Sequence, residues 1–168
     1  MTDELQVYWD SCCWIGLLNQ EERWLGDLQT IFESAQRRDA QLWISMITIL
    51  EVVRVPSEDG IPRPWPDENI AQVDNLLDQD FVRKVQLDLQ IARKAREIYR
   101  STPSLRERKQ MDAIHLATAL FYSVDEFHTD DRKDLLRLDK TLRCRDGRLL
   151  RICKPKDSLL TAQGRLSL

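Results

Sequence analysis

Glycine is scarce in this chain, and the five present (Gly16, Gly26, Gly60, Gly147 and Gly164) spell neither GxGxxG nor a P-loop. A dinucleotide or nucleoside-triphosphate cradle is therefore disfavoured. No GxSxG elbow occurs either, which removes the usual serine-hydrolase arrangement. Histidine is limited to His115 and His128, and the four cysteines, Cys12, Cys13, Cys144 and Cys153, lack CxxC spacing. Zinc is correspondingly disfavoured, and both histidines read as packed or hydrogen-bonded side chains. Vicinal Cys12 and Cys13 cannot easily pair with each other, so the thiols read as reduced. No apolar run approaches the roughly 18 residues of a membrane span, and no charged-apolar-small leader is visible. These absences point to a cytoplasmic protein with no membrane partner. Positive charge is not in excess: 25 Lys and Arg against 28 Asp and Glu leave a net charge of −3. Any nucleic-acid contact must then rest on local basic clusters or bound cations.

What is present fits one globular domain, since 168 residues can bury one sizeable core but not two comfortable ones. Leu5 to Trp9 reads as a buried strand, with Ser11 placed to cap a helix through Trp14, Ile15, Leu17 and Leu18. A second helix runs from about Glu22 to Arg37, followed by a strand over Gln41 to Ile44. Ser45 can cap a helix from Met46 to about Val53. Pro56, Gly60, Pro62, Pro64 and Pro66 make a segment unsuited to regular structure, after which Asp67 caps a helix through Leu77. Phe81 to Leu87 reads as a strand, Ile91 to Tyr99 as a basic amphipathic helix, and Ser101 to Lys109 as an arginine-rich connection. Gln110 to Tyr122 is strongly helical, with Met111, Ile114, Ala117, Leu120 and Phe121 facing inward. Phe127 to Thr129 and Leu149 to Cys153 close the strand set, with a short helix near Leu135 to Leu138. The expected division is a domain over 1–155 and a tail over 156–168.

Strands alternating with helices imply an α/β fold with a parallel sheet covered on both faces. In such folds the crevice lies beyond the carboxyl ends of the strands. Asp10 and Asp131 follow strands, and Glu51 and Asp112 lie in helices beginning near that rim. Asp10 is the least ordinary, because it separates an apolar strand from an apolar helix, where a lone charge is costly unless paired or metal-bound. Asp112 in a first helical turn also favours the helix dipole, and Asp131 sits among Asp130, Asp134 and Asp139. The four acids carry the argument jointly. Brought together they would need a counter-charge, and Mg²⁺ or Mn²⁺, which take oxygen ligands and keep waters for chemistry, would supply it.

Four segments resemble the PIN-domain ribonucleases, and among them the VapC-like toxins of bacterial type II toxin–antitoxin pairs: Val7 to Ser11, Ser45 to Glu51, Met111 to Ala119, and His128 to Asp131. The resemblance implies a three-layer α/β/α fold around a parallel sheet and an acidic Mg²⁺ or Mn²⁺ centre. By motif, Asp10 and Asp112 would be principal metal ligands, Glu51 would assist through metal or water, and Asp131 would complete the set, with Asp130 its rival. Ser11 and Thr129 would orient the neighbouring carboxylates. The Pro-rich segment and the acidic net charge depart from a compact VapC-like toxin. Candidate phosphate contacts are Arg93, Lys94, Arg96 and Arg100 on one helix, and Arg106, Arg108 and Lys109 before Asp112.

The expected function is hydrolysis of RNA phosphodiester bonds by a metal-dependent endoribonuclease, with an antitoxin as cognate partner and homodimerisation as a family trait. Two alternatives belong to other classes. One is a non-catalytic PIN-like module that holds RNA or a protein. The other is a metal-dependent phosphoesterase acting on DNA or a small phosphate ester.

Overall fold

The computed structural model describes residues 4–105, 107 and 109–161. Five strands form one parallel sheet: β1 (Leu5–Trp9), β2 (Ala40–Ser45), β3 (Val82–Val85), β4 (Glu126–His128) and β5 (Arg151–Cys153), in the order β3-β2-β1-β4-β5. Among the described residues the α-helices are α1 (Ser11–Leu18), α2 (Leu25–Gln36), α3 (Ile47–Glu51), α4 (Asp67–Leu77), α5 (Leu89–Ser101) and α6 (Gln110–Phe121). β1 is central, with Val7 opposite both Leu42 of β2 and Glu126 of β4.

The alternation of a strand separates the two cores. Val7 and Trp9 point to one face and pack with Trp14, Leu28, Ile31, Val73 and Leu77 from α1, α2 and α4. Tyr8 points to the other and packs with Ile91, Ile98, Leu116, Leu120 and Phe127, under α5 and α6. The result is a three-layer α/β/α arrangement, and burial on both faces explains why Val7, Tyr8 and Trp9 are all apolar rather than alternating with polar residues. Helix α1 meets α2 closely: a Cβ on Gly16 would stand 2.6 Å from the Trp24 ring, so only glycine fits there.

Several local expectations are corrected. Asp10, not Ser11, caps α1, accepting from the backbone N–H groups of Cys12 and Cys13. Ser45 ends β2, Met46 is the cap of α3, and that helix closes at Glu51. Pro66 precedes α4, making Asp67 its first helical residue. The Pro-rich segment does contain one regular turn, a 3₁₀ turn at Pro56–Glu58. Its proline occupies the first helical position, where no backbone donor is required. Met111 is exposed, because the first turn of α6 projects past the core. The third strand is shorter than the expected Phe81 to Leu87, and Leu149 makes an antiparallel bridge to Arg143 instead of joining β5.

Glu126, fully buried on β4, is the hub of a second polar network. It accepts from His128 Nε2 at 2.8 Å, Ser158 Oγ at 2.7 Å and the Leu159 backbone N–H at 3.1 Å, and it pairs with Arg151. These bonds fix residues 158–161 against the sheet, where Ser158, Leu160 and Thr161 are buried. Of the expected tail, residues 162–168 lie outside the described residues. No helix among the described residues is long and apolar enough to cross a membrane.

Candidate active site

The site begins where β1 ends. Burial pushes the Asp10 carboxyl above the ordinary aspartate range, and the donors around it, among them Cys12 and Thr129, only partly offset this. As the cap of α1 it also meets the partial positive charge of a helix N-terminus. The next residue, Ser11, gives its hydroxyl not to the helix but to Glu51 Oε2, by a short hydrogen bond.

Glu51 is held from a second direction. His115 Nε2 lies 2.6 Å from the same Oε2, His115 Nδ1 lies 2.7 Å from the Tyr8 hydroxyl, and that hydroxyl accepts the Ser45 backbone N–H at 2.9 Å. The chain of bonds fixes the tautomer. An ionised Glu51 can only accept, so Nε2–H donates to it, and in the neutral imidazole Nδ1 then accepts the Tyr8 hydroxyl proton. Burial raises the Glu51 carboxyl, but His115, Ser11 and the Lys109 charge outweigh it and hold the group below the ordinary glutamate range. Both hydrogen bonds fall on Oε2, which leaves Oε1 for a water or substrate.

On the other side of the crevice, carboxylate oxygens of Asp112, Asp131 and Asp134 lie within 4.8 Å of one another. Lys109 brings positive charge to them, with Nζ at 2.9, 3.2 and 3.8 Å from Asp112, Asp131 and Asp134. The Asp112 contact is close but off the line of a hydrogen bond, so its buried Oδ2 has no directed donor. Burial lifts the Asp112 carboxyl above its usual range despite Lys109. Asp131 is held below its usual range: burial opposes this, but the Asp134 and Lys133 backbone N–H groups and Lys109 prevail. Its own backbone N–H donates to Thr129 Oγ1 at 3.0 Å.

Asp130 turns the other way, ion-paired with Arg23 at 2.6 Å and Lys154 at 2.8 Å. Of the two adjacent acids, Asp131 is therefore the one gathered with Asp112. Asp10 is not within ligand spacing of that trio; its neighbours at that spacing are Cys12 and Cys13. Their two sulfurs are no reactive pair, since burial raises the Cys13 thiol and leaves no thiolate nucleophile at neutral pH. Of the four sequence-selected acids, the structure gathers Asp112 and Asp131 at ligand spacing, while Asp10 stands with Cys12 and Cys13 and Glu51 is held by Ser11 and His115. Lys109, expected as a phosphate contact, is engaged by carboxylates. Arg93, Lys94, Arg96 and Arg100 lie on α5, while Arg106 and Arg108 lie outside the described residues. Asp134, Tyr8 and the role of His115 escaped the sequence reading, although the His115 position one turn from Asp112 was a usable signal.

A second grouping, Glu126, His128 and Cys153, is structural. Trp9 Nε1, which can only donate, gives its hydrogen to His128 Nδ1 at 3.1 Å, and Nε2 is committed to Glu126. Neither nitrogen is left for an ion, and burial pushes the Cys153 thiol up to about 12.

The family model of the PIN domain matches residues 7–141, from the middle of β1 to beyond Asp131 and Asp134. The chain belongs to the PIN domain family. Among solved structures this PIN domain is similar to the toxin VapC20 of Mycobacterium tuberculosis, described as cleaving the sarcin–ricin loop. The TM-score is 0.56 at 17% identity, covering 75% of this chain and 90% of that one. No curated protein sequence matches. The likeness to VapC20 is one of fold, and it agrees with the three-layer arrangement of this PIN domain.

Proposed function

We propose that this PIN domain is a Mg²⁺- or Mn²⁺-dependent endoribonuclease, the VapC-like toxin of a toxin–antitoxin pair acting in the cytoplasm. The observation that carries the reading is the acidic rim at the carboxyl ends of β1 and β4. There carboxylate oxygens of Asp112, Asp131 and Asp134 converge, with the Lys109 ammonium set against them. The donor set fits a hard cation: it is all carboxylate oxygen, and Asp112 Oδ2 is buried without a directed donor. Asp112, Asp131 and Asp134 would hold the ion, with Asp10 and Glu51 reaching it through water. When bound, the ion supplies a more acidic water and positive charge toward a phosphoryl oxygen.

The chain's own groups account for the rest. Glu51 stays ionised because its pKa is held down, and its Oε1 is free to accept a proton from an attacking water. His115 and Ser11 keep that carboxylate from rotating. Neither histidine offers a free nitrogen as an alternative base. A cognate antitoxin and a second copy of the chain are the partners of this reading, and the exposed Ile49, Leu50 and Val53 at α3 provide apolar surface for such contacts.

The test is cleavage of an RNA panel, including a sarcin–ricin-type stem-loop, by the purified chain with Mg²⁺, Mn²⁺ or EDTA, beside Asp10→Asn and Asp112→Asn. Metal-dependent cleavage lost in both variants is expected. Cleavage that persists in EDTA, or in both folded variants, would overturn the reading. RNA bound but uncut under every condition would favour a binding module.

A further inference from the structure

At the end of α6 remote from Asp112, a groove of about 540 Å³ opens between the first turns of α5 and the loop before β5. Leu120, Phe121 and Cys144 contribute its apolar surface, and Arg93, Lys94, Arg143 and Arg145 its charge. Glu97 is its one acid, and it is taken by Lys94 at 2.8 Å. In a chain with net charge −3, a groove with four cations and one neutralised acid is a local reversal of sign.

The two loop arginines are held rigidly. The Arg145 backbone N–H donates to Leu120 O at 2.9 Å and that of Cys144 to Arg148 O at 2.8 Å, while Gly147 takes the positive φ of 91° that the tight turn demands. Their neighbour Arg148 is saturated by Asp125 and Asp146, each at 2.6 Å. By contrast, no described carboxylate pairs with Arg93, Arg143 or Arg145. Arg143 reaches only the Gly147 carbonyl, and the Arg145 guanidinium lies 4.8 Å over the Phe121 ring. Arg143 and Arg145 also lie beyond the segment matched by the family, residues 7–141.

We propose that this groove anchors single-stranded RNA flanking the cleaved bond. The inference rests on the nuclease reading and adds a second point of contact to it. Positive charge tracking a backbone, combined with an aromatic–guanidinium platform for a base, is the chemistry of single-strand recognition. An acidic peptide would use the charge but not the Phe121–Arg145 stack. From Asp112 to Phe121 the helix rises about 13 Å, a distance that a few nucleotides can cross.

The test is fluorescence anisotropy of a labelled single-stranded 20-nucleotide RNA with the full chain in EDTA across a salt series. Wild type is compared with Arg93→Gln/Arg145→Gln and with the control Arg37→Gln/Arg38→Gln. The control removes the same charge from arginines already paired with Asp39 and Asp80. The groove variant should bind about tenfold more weakly, with a salt slope shallower by about 1.4 for two lost single-strand phosphate contacts, while melting like wild type. Equal losses in the control, or displacement of RNA by polyglutamate as readily as by unlabelled RNA, would overturn the proposal. If wild type cuts RNA and the groove variant matches it in affinity and slope, the groove fails and the nuclease stands. If the groove signature appears without metal-dependent cleavage of any RNA, the nuclease reading fails and the groove stands. Absence of RNA binding by wild type would overturn the groove outright.

Discussion

His115 Nε2 lies 2.6 Å from Glu51 Oε2, so a glutamate on a short, half-exposed helix is oriented from inside the core. The imidazole is itself fixed by Tyr8, from the central strand. Partners that orient a catalytic carboxylate without touching substrate typically change activity or metal affinity by 10–100-fold when removed. Tyr8→Phe deletes only the hydroxyl that donates to Nδ1. It is expected to lower kcat for RNA cleavage by about tenfold or more with KM little changed. Steady-state kinetics beside a melting curve check this, and an unchanged kcat in a folded variant would remove His115 from the positioning of Glu51.

Asp10 carries a charge that burial penalises, and its pKa lies above the unfolded value. A carboxyl of this kind makes the native state less stable once pH exceeds the unfolded pKa, because the unfolded chain then loses its proton more readily. Asp10→Asn removes the charge while keeping a side chain that caps a helix as well as aspartate does. We expect abolished cleavage together with a melting temperature at pH 7 raised by about 2–4 °C, equivalent to about 1 kcal/mol at this size. The gain should vanish as pH falls through the raised pKa and Asp10 protonates in both states. Thermal melts of both proteins across pH 3.5–7.5 read the difference directly, and a lower melting temperature for the variant at pH 7 would contradict it.

The fold was legible because its signals are local. Val7 to Trp9 is an apolar run ended by an acid, and α6 repeats apolar residues at helical spacing, so both appear in the structure close to where the pattern puts them. The caps were not, because Asp10 and Ser11 are both good capping residues and adjacent. The choice was made by Glu51, forty positions away in sequence, which takes the serine hydroxyl. Of the four acids that the sequence singles out, the structure brings Asp112 and Asp131 to ligand spacing and leaves Asp10 and Glu51 outside that group. Nothing local says that Lys109 enters the Asp112 side, that Asp134 joins it, or that Asp130 is drawn off by Arg23 and Lys154. The Tyr8–His115–Glu51 chain joins β1, α6 and α3 and exists only once the sheet order is known.

Lys109 is the cation that the acidic rim carries within its own chain, and burial costs it less than Asp112 and Asp131 return, so its pKa is raised. Removing it takes the nearest ammonium away from Asp112 and Asp131. Lys109→Met should therefore melt lower than wild type in EDTA. It should also gain more than wild type when Mn²⁺ is added, because the ion no longer competes with an internal charge. Calorimetric titration with Mn²⁺ should show tighter binding by about tenfold, a change of about 1.4 kcal/mol. A variant that binds Mn²⁺ more weakly than wild type would instead make Lys109 a support for the ion's site.

The last relationship is remote from the crevice and concerns stability alone. Glu126 is fully buried on β4, yet its pKa is depressed. Burial acts to raise it, but His128, the Ser158 hydroxyl and the Leu159 backbone N–H together hold it ionised. A depressed carboxyl contributes stability that is present above the unfolded value, near 4.3 for glutamate, and lost as pH falls through the lower folded value. Glu126→Gln keeps the shape but cannot accept at both oxygens, so Arg151 and the residue 158–161 segment lose their anchor. The expected cost at pH 7 is about 3 kcal/mol, as for removing one partner of a buried pair. The difference from wild type should shrink as pH falls through the depressed folded value, where the wild-type carboxylate itself becomes protonated. Urea unfolding at pH 7 and at a descending series of pH values below the unfolded glutamate value follows the window. Equal stabilities at pH 7 would mean that the 158–161 segment is held by Leu160 and Thr161 packing rather than by the carboxylate.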